Sequence, residues 1–330
     1  MICHFAVACL TSLAALIGTH TAAAQTYPDR PIKMVVPYTP GGQFDIHARL
    51  LAEKMSTTLG QPVVIENRPG AGTMLGAEAV ARAKNDGYTL LFSGSNMFAI
   101  LPHTYSKLPY TVGDFQTITT VSDLPMGLVV DAKKVPAGDI KEFIGFVRAN
   151  PGKIDFGSSG TGGAQHLLGE LAKMRMGLEM TQVSFRGTPE VLAAMLGGHV
   201  PVAFDGIVAY LPSAGLASEG RGGPLRILGI SSAQRLAAAP WVPTFAEAGY
   251  PDMTVSTRGG IVAPAGTPRP IVNKLHDAIV TANGDPEIRR KVVEGAAVPR
   301  TSTPEEFDAM IKADSALWGE VVSRLNLKLN

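Results

Sequence analysis

A short β-branched strand, a glycine-rich break and a helical pattern follow one another three times in this chain. The breaks lie at 40–42, 69–72 and 157–166 and read PGG, PGAG and GSSGTGGAQH. Each break separates a segment fit to be a buried strand from the start of a helix. This recurrence predicts a fold in which strands and helices alternate along the chain.

The wider hydrophobic pattern predicts the same alternation. Strands are predicted at 32–36, 63–66, 88–92, 117–121, 127–130, 154–157, 182–185, 200–204 and 225–230. Helices are predicted near 43–58, 73–84, 138–149, 164–176, 188–197, 269–282 and 304–325. The start of the last helix is marked by Thr303 as N-cap, Pro304 at the first helical position and Glu306 as the capping-box carboxylate. The expected class is α/β with largely parallel sheets.

Two features divide the chain into lobes. A second sheet is predicted to begin after Leu124-Pro125, and the Pro/Gly-rich stretch 240–268 is predicted to return the chain to the first. Two such crossings would form a cleft between two α/β lobes. The predicted units are lobe 1 at 27–125 and 252–302, lobe 2 at 126–251, and a C-terminal helix at 303–330 that packs across the lobes.

Residues 1–24 are predicted to be a cleavable signal peptide, which places the mature chain in the periplasm. Their apolar run, Phe5 to Ile17, is shorter than the ~20 residues of a membrane helix, and it is followed by three alanines before Gln25. The leader has no Lys or Arg ahead of this run, an unusual feature for such a peptide. A lipoprotein reading through Cys9 fits less well, because that cysteine comes very early.

Composition excludes several kinds of function. Both cysteines, Cys3 and Cys9, fall within the leader, so a mature chain would have no disulfide, no cysteine catalysis and no Cys-ligated zinc. The formal net charge is +1, and no basic run suggests nucleic acid. If the protein binds an anion, local dipoles must supply the attraction.

The glycine-rich breaks can supply such dipoles. A helix N-terminus carries unsatisfied N–H groups and about half a positive charge, and glycines let a small anion approach them. From spacing alone, Gly41-Gly42 is equally compatible with a tight turn. Asp45 could cap the helix and would repel a carboxylate, while His47 is expected to be a solvated helix residue. Phe44 begins the apolar stripe of this helix.

Enzyme signatures are missing or incomplete. No phosphate-binding G-x-x-x-x-G-K-[ST] loop occurs, and GAGTMLG at 70–76 misses the dinucleotide fingerprint by one residue. No G-x-S-x-G nucleophile elbow is present. His166 and Glu170 could share a helix face but lack a third metal ligand. Asp205 follows the strand 200–204, where it could be a site residue or cap the next turn. Neither a cofactor nor a metal is expected.

Several motifs resemble those of the periplasmic solute receptors of the tripartite tricarboxylate transporter family, also called Bug receptors. They are YPDRPIKMVVPYTPGGQFDIHARLLAEKM, ENRPGAG followed by DGYTLL, VPTFAEAGYPD, VAPAGTP and TPEEFDAMIKAD. This resemblance covers nearly the whole mature chain. It implies a two-lobed fold like that of type II periplasmic binding proteins, without catalysis. Its expected ligand is a small mono-, di- or tricarboxylate, and its expected partners are membrane permease subunits. A monomer is expected.

The resemblance also implies which residues bind the ligand. They lie in the loop after the first strand, in the Gly/Ser-rich loop of lobe 2, and at a few positions elsewhere. The predicted ligand-binding residues are Tyr38, Thr39, Pro40, Gly41, Gly42, Phe44, Asp45, Ser93, Ser95, Asn96, Ser158, Gly160, Thr161, His166, Arg186 and Asp205.

Three positions depart from the family pattern. Phe44 stands where small or polar residues are common, Phe185 replaces a usual tyrosine, and Arg258 lies where an aromatic segment is expected. Arg258 would favour a second acidic group on the ligand if it faced the cleft. Two other functions stay open from sequence alone. One is an enzyme acting on an organic acid through His166 or Asp205, and the other is a ligand-loaded partner of a sensor protein.

Overall fold

The computed structural model describes residues 27–215 and 222–329, so the predicted signal peptide at 1–24 lies outside the described residues. The fold is α/β and two-lobed, as predicted. Its strands are β1 (Ile32–Val36), β2 (Val63–Asn67), β3 (Thr89–Gly94), β4 (Phe115–Asp131), β5 (Ile154–Ser159), β6 (Met180–Phe185), β7 (Val202–Gly206), β8 (Leu225–Ile230), β9 (Ser256–Pro264) and β10 (Val298–Pro299).

The helices alternate with these strands as the sequence pattern predicts. They are α1 (Gln43–Leu59), α2 (Met74–Ala81), α3 (Asn96–Ala99), α4 (Leu101–Thr104), α5 (Ile140–Ala149), α6 (Ala164–Met176), α7 (Thr188–Leu196), α8 (Arg269–Asn283), α9 (Pro286–Glu294) and α10 (Pro304–Leu325). Short 3₁₀ turns lie between some of them. The capping box of α10 forms as predicted, because Thr303 and Glu306 each accept the other's backbone N–H.

The strands form two mixed sheets that share β4. In the first sheet β2, β1 and β3 run parallel, and β9 lies antiparallel between β3 and the first part of β4. In the second sheet β7, β5 and β6 run parallel, and the last part of β4 lies antiparallel between β7 and β8. The parallel strands of both sheets end at glycine-rich loops, where ligand sites of α/β proteins lie.

Strand β4 corrects one prediction. The sequence predicts two strands, 117–121 and 127–130, with a boundary at Leu124-Pro125, but one 17-residue strand runs through all of them. Pro125 pairs with Ser256 at the point where β4 leaves the first sheet. A proline is tolerated there because the strand needs no continuous donor row where it changes partners. The connection between the sheets is therefore a strand rather than a loop.

Five helices and strands were not predicted: the one-turn helices α3 and α4, strand β9, helix α9 and the two-residue strand β10. Strand β9 lies in the stretch 240–268, which was expected to be only a return segment, and α9 follows Asp285, whose side chain accepts the N–H groups of Glu287 and Ile288. The two glycines of β9 give it little strand propensity of its own. Its pairing with both β3 and β4 supplies the stability that its sequence does not.

Each lobe has its own buried core, and α10 contacts both. Phe307, early in α10, packs with Val35 and Leu91 beside the first sheet, while Trp318, later in the same helix, packs in the core that contains Phe156 of the second. The lobe boundaries at 125/126 and 251/252 stay a prediction about which residues move together.

Candidate functional site

The first glycine-rich loop joins β1 to α1. Gly41 has φ +80°, a left-handed conformation that favours glycine, and its N–H donates to Asp45 Oδ2 at 2.8 Å. The buried Asp45 carboxylate also accepts from Arg49 Nε at 3.0 Å and Asn67 Nδ2 at 2.9 Å. Burial alone would raise the pKa of Asp45, but these hydrogen bonds outweigh it and hold the pKa below its usual range. The carboxylate is engaged with donors of its own lobe.

The glycine-rich loop of the second lobe joins β5 to α6 and is built in the same way. Gly162 has φ +76°, and its N–H donates to Nδ1 of the buried His166 at 3.0 Å. Burial lowers the pKa of His166, against the opposing effect of Glu170, whose carboxylate lies 3.8 Å from Nε2. The ring is therefore neutral and protonated on Nε2, which leaves Nδ1 free to accept.

Both loops leave the starts of their helices without a side-chain cap. Gly42 is the N-cap residue of α1 with φ −74° and ψ 166°, and Gly163 is that of α6 with φ −81° and ψ 171°. Asp45 and His166 are each the third residue of their helix. Two matched helix starts thus carry backbone N–H groups that a side chain does not satisfy, the arrangement that favours a bound anion.

The first turns of both helices border one cavity of about 400 Å³ between the lobes. Gln43 and Phe44 of α1 line it from one lobe, and Ala164 and Gln165 of α6 line it from the other. Residues 124–126 of β4, where the strand passes between sheets, also belong to the lining. This space is hereafter the main cavity, and its size suits a small organic molecule.

Four of the predicted ligand-binding residues line the main cavity: Tyr38, Phe44, Asn96 and Asp205. Tyr38 stacks on Phe44 with 4.4 Å between ring centroids, and burial raises the pKa of its phenol, which accepts the Gly94 N–H at 3.1 Å. Asn96 differs from the other three, because its Oδ1 is buried without a hydrogen-bond partner among the described residues. That oxygen is buried close to Gly94 and can only accept, so the group of Asn96 that could bond an anion in the cavity is the amide NH2.

Asp205 is the only charged side chain among the described residues that line the main cavity. It is fully buried and accepts hydrogen bonds from Ser159 Oγ, Thr188 Oγ1 and Tyr210 Oη, each at 3.0 Å, and from the Gly206 N–H at 2.8 Å. Burial raises the pKa of Asp205, although all four donors oppose the shift. Asp205 therefore fixes the hydroxyls around it and has little capacity left for a ligand.

The other predicted residues lie in or next to the loops but do not line the main cavity. They are Thr39, Pro40, Gly41, Gly42, Asp45, Ser93, Ser95, Ser158, Gly160, Thr161, His166 and Arg186. Several are occupied by the fold itself. The Ser95 hydroxyl accepts the Arg258 N–H at 3.1 Å, and the Ser158 hydroxyl accepts from Gln182 at 2.9 Å. Their assignment to the ligand site stays a prediction.

The two arginines singled out in the sequence point elsewhere. The Arg186 side chain is 93% exposed, with Nε 4.0 Å from Glu190. Arg258 forms an ion pair with Asp314, and its Nε lies 3.8 Å from Asp123; it lines a separate cavity of about 410 Å³. Neither guanidinium reaches the main cavity. His47, expected to be solvated, is instead buried and bonded to Asn283 at 3.2 Å.

Four polar residues of the lining were missed by the sequence reasoning: Gln43, Gln165, Thr188 and Thr257. Gln43 directly follows the first glycine-rich break and Gln165 lies within the third, two positions that could have marked them. Thr188 precedes a proline at a helix start, and Thr257 lies in the unpredicted β9. Within residues 27–215 and 222–329, no group of three His, Cys, Asp or Glu side chains could hold a metal ion.

Known proteins match this chain over most of its length. Residues 47–327 match the model of the tripartite tricarboxylate transporter family receptor. Protein BugT of Bordetella pertussis is 34% identical over 97% of this chain and 99% of its own. The structure of R. palustris Rpa4515 with adipate is 30% identical with a TM-score of 0.77, covering 92% of this chain and 100% of that one.

A third relative is MatC from Rhodopseudomonas palustris with bound malate, which is 31% identical with a TM-score of 0.72 and covers 90% of this chain and 100% of its own. The family and these neighbours are solute-binding proteins rather than enzymes, and receptors of this family are periplasmic. No helix in the described part of the chain is long and apolar enough to cross a membrane. The chain is a member of the tripartite tricarboxylate transporter receptor family, with its two α/β lobes facing a shared cavity.

Proposed function

We propose that the protein captures a small organic carboxylate in the main cavity, in the periplasm, and delivers it to the permease subunits of a tripartite transporter. The observation that carries the proposal is the pair of uncapped helix starts, Gly42 and Gly163, whose first turns border one cavity from opposite lobes. An anion between them would interact with two helix dipoles at once. The adipate and malate complexes of the two relatives support a carboxylate.

The lining assigns different tasks to its polar groups. The N–H groups at the two helix starts would hold the carboxylate, and Asn96 would donate to it through its amide NH2 group. Asp205 would act on the ligand indirectly, by holding Thr188 and Ser159 in place. Because contacts come from both lobes, binding would favour the arrangement in which the lobes lie closest together. Such a change would distinguish loaded from empty receptor for the permease.

A panel of organic acids tests the proposal through the melting temperature. A ligand at a concentration 100 times its Kd stabilises the folded state by about 2.7 kcal/mol, a shift of about 4 °C in a chain of this size. We expect at least one small carboxylate to produce this shift, and the corresponding amide or alcohol to produce none. Mass spectrometry of copurifying small molecules gives an independent identification. A panel in which carboxylates are no better than their amides would count against the proposal.

Asn96→Ala tests the lining directly. A hydrogen bond to a charged ligand contributes about 1.5–3 kcal/mol, so we expect the Kd of the best carboxylate to rise by about tenfold or more, as measured by calorimetry. Asn85→Ala is the matched control, since Asn85 is exposed and lines none of these cavities. Equal affinity in the two variants would remove Asn96 from the site.

A further inference from the structure

The main cavity continues into a second space of about 240 Å³, hereafter the apolar annex. The two spaces share the residues Gln43, Phe44, Leu124, Val208 and Gly295, so they are contiguous. A molecule held at the helix starts therefore has a direct path into the annex.

Phe44 stands between the two spaces. Its ring stacks on Tyr38, which lines only the main cavity, and lies 5.3 Å from the ring of Phe92, which lines only the annex. The aromatic residue that departs from the family pattern is thus both part of the packed lobe and a wall of the cleft. A ligand that extends past it meets an aromatic face rather than a polar side chain.

The annex is lined mainly by aliphatic and aromatic side chains from both lobes. Ile46 of the first lobe is 50% exposed and Val208 of the second is 40% exposed, so both keep apolar surface in contact with water at this site. The buried His47 that borders the annex directs Nε2 to Asn283 Oδ1. A ligand that covered these two side chains would remove their apolar surface from water, which favours binding.

Positive charge for a second acidic group is absent from the described lining of the main cavity, where Asp205 is the one charged residue. Among the described residues that line the annex, only Lys291 is cationic, and its Nζ already lies 3.2 Å from Glu287. The neighbouring cavity that Arg258 lines shares Pro125 and Ala296 with the main cavity, but its three arginines are all paired: Arg235 with Glu247, Arg258 with Asp314 and Arg300 with Asp123. A second carboxylate would therefore lose its hydration without gaining an unpaired cation.

We propose that the cleft selects a monocarboxylate with an apolar body, an aliphatic chain or an aromatic ring, that extends past Phe44 into the apolar annex. The inference rests on the proposed function, because the same bound acid supplies the carboxylate held at the helix starts. It goes further, because it predicts that dicarboxylates such as those bound by the two relatives are not the preferred ligands of this protein.

Hexanoate and adipate form a matched pair for calorimetry, because they have six carbons each and differ by one terminal carboxylate. We expect hexanoate to bind at least tenfold more tightly. Affinity should rise about three- to fourfold per methylene from butyrate to hexanoate, with a negative heat-capacity change from apolar burial. Adipate binding as tightly as hexanoate, or more tightly, would overturn the inference.

The double variant Ile46→Ser/Val208→Ser tests whether the annex is responsible. Both side chains are substantially exposed, so the fold should tolerate the change. We expect about a tenfold loss of affinity for hexanoate and less than about a twofold loss for butyrate. Leu196→Ser is the control, since Leu196 is 51% exposed and lines neither space.

The outcomes separate the two proposals. If acids bind but the double variant loses the same fraction of its affinity for hexanoate as for butyrate, the annex does not hold the apolar body. The inference then fails while the proposed function stands. If no acid of either kind binds, both fail together.

Discussion

The loop before α1 and the loop before α6 present the same backbone to the cavity from opposite lobes. In each, a left-handed glycine donates its N–H to the third residue of the following helix, and a second glycine begins that helix. The acceptor is the carboxylate of Asp45 in the first loop and the neutral imidazole of His166 in the second. The geometry of the loop thus needs an acceptor at this position, and it does not need a particular charge.

The two loops differ in what keeps each side chain in the charge state that accepts the glycine N–H. Asp45 remains ionised because Arg49 and Asn67 donate to it, whereas His166 remains neutral because burial disfavours its charged form. A buried carboxylate requires such partners, and a buried imidazole requires only that its proton stay on the other nitrogen. The two loops should therefore fail by different routes when their acceptors are changed.

The largest effect is expected from Asp45→Ala. The change leaves the Gly41 N–H, Arg49 and Asn67 without their shared acceptor, so we expect a loss of about 3 kcal/mol in the free energy of unfolding, measured with urea. Glu53→Ala removes an exposed carboxylate from the same helix and should change stability by less than about 0.5 kcal/mol. Similar values for the two variants would show that Asp45 does not hold the loop.

His166→Ala should have a smaller effect, about 2 kcal/mol, because it leaves one buried N–H without an acceptor and frees no charged group. Binding of the best carboxylate should weaken as well, since the start of α6 loses its support. His166→Asn, which keeps an acceptor, should recover part of both losses. The control is His199→Ala, at an exposed histidine of the same lobe. If the Ala and Asn variants at 166 behave alike, the hydrogen bond to Gly162 is not the relevant contact.

Acid should separate the two loops at the smallest energetic cost. The folded pKa of His166 is lowered from 6.5, so its contribution to stability is complete above about pH 6.5 and is lost as the pH falls from there toward the folded value. Asp45 has a pKa lowered from 3.8, so its contribution persists until the pH falls below that value. As the pH falls from 6.5 toward the folded pKa of His166, the Gly162 amide should progressively lose hydrogen-exchange protection while the Gly41 amide keeps it.

This comparison needs a probe of each amide separately. Burial lowers the pKa of His47 to about 4, so protonation of the unfolded chain at His47 also reduces the stability of the first lobe as the pH falls below about 6.5. His47→Gln removes that background while a polar group stays beside Asn283. Simultaneous loss of protection at both glycines in this variant would contradict the difference between the two loops.

The sequence predicts the backbone of the site better than its side chains. Helices α6 and α10 begin and end at the predicted residues, because glycines bracket α6, and because Thr303 and Glu306 cap the start of α10 and a left-handed Asn326 ends it. The glycine-rich breaks mark the helix starts for the same local reason. Such features depend on neighbours along the chain, which the sequence displays directly.

Side-chain direction and strand partners depend on contacts that are distant in sequence. Asp45 and His166 are predicted ligand-binding residues, and the structure shows each also accepting a hydrogen bond from a loop glycine, a contact that spacing alone does not reveal. Thr188 lies at the start of α7 and lines the main cavity, and its hydroxyl is fixed by Asp205 of β7, which is distant in sequence. Strand β9 was missed because two partners distant in sequence stabilise a segment with weak propensity of its own.

The position of β9 has a consequence for how the chain folds as it is made. The second sheet takes its strands from one continuous stretch, residues 126–230, whereas β9 inserts between β3 and β4 only after residue 264 has emerged. Until then β3 and the first part of β4 expose backbone edges that could pair with another chain. The first lobe is therefore the half of the newly made chain in which unpaired strand edges persist longest.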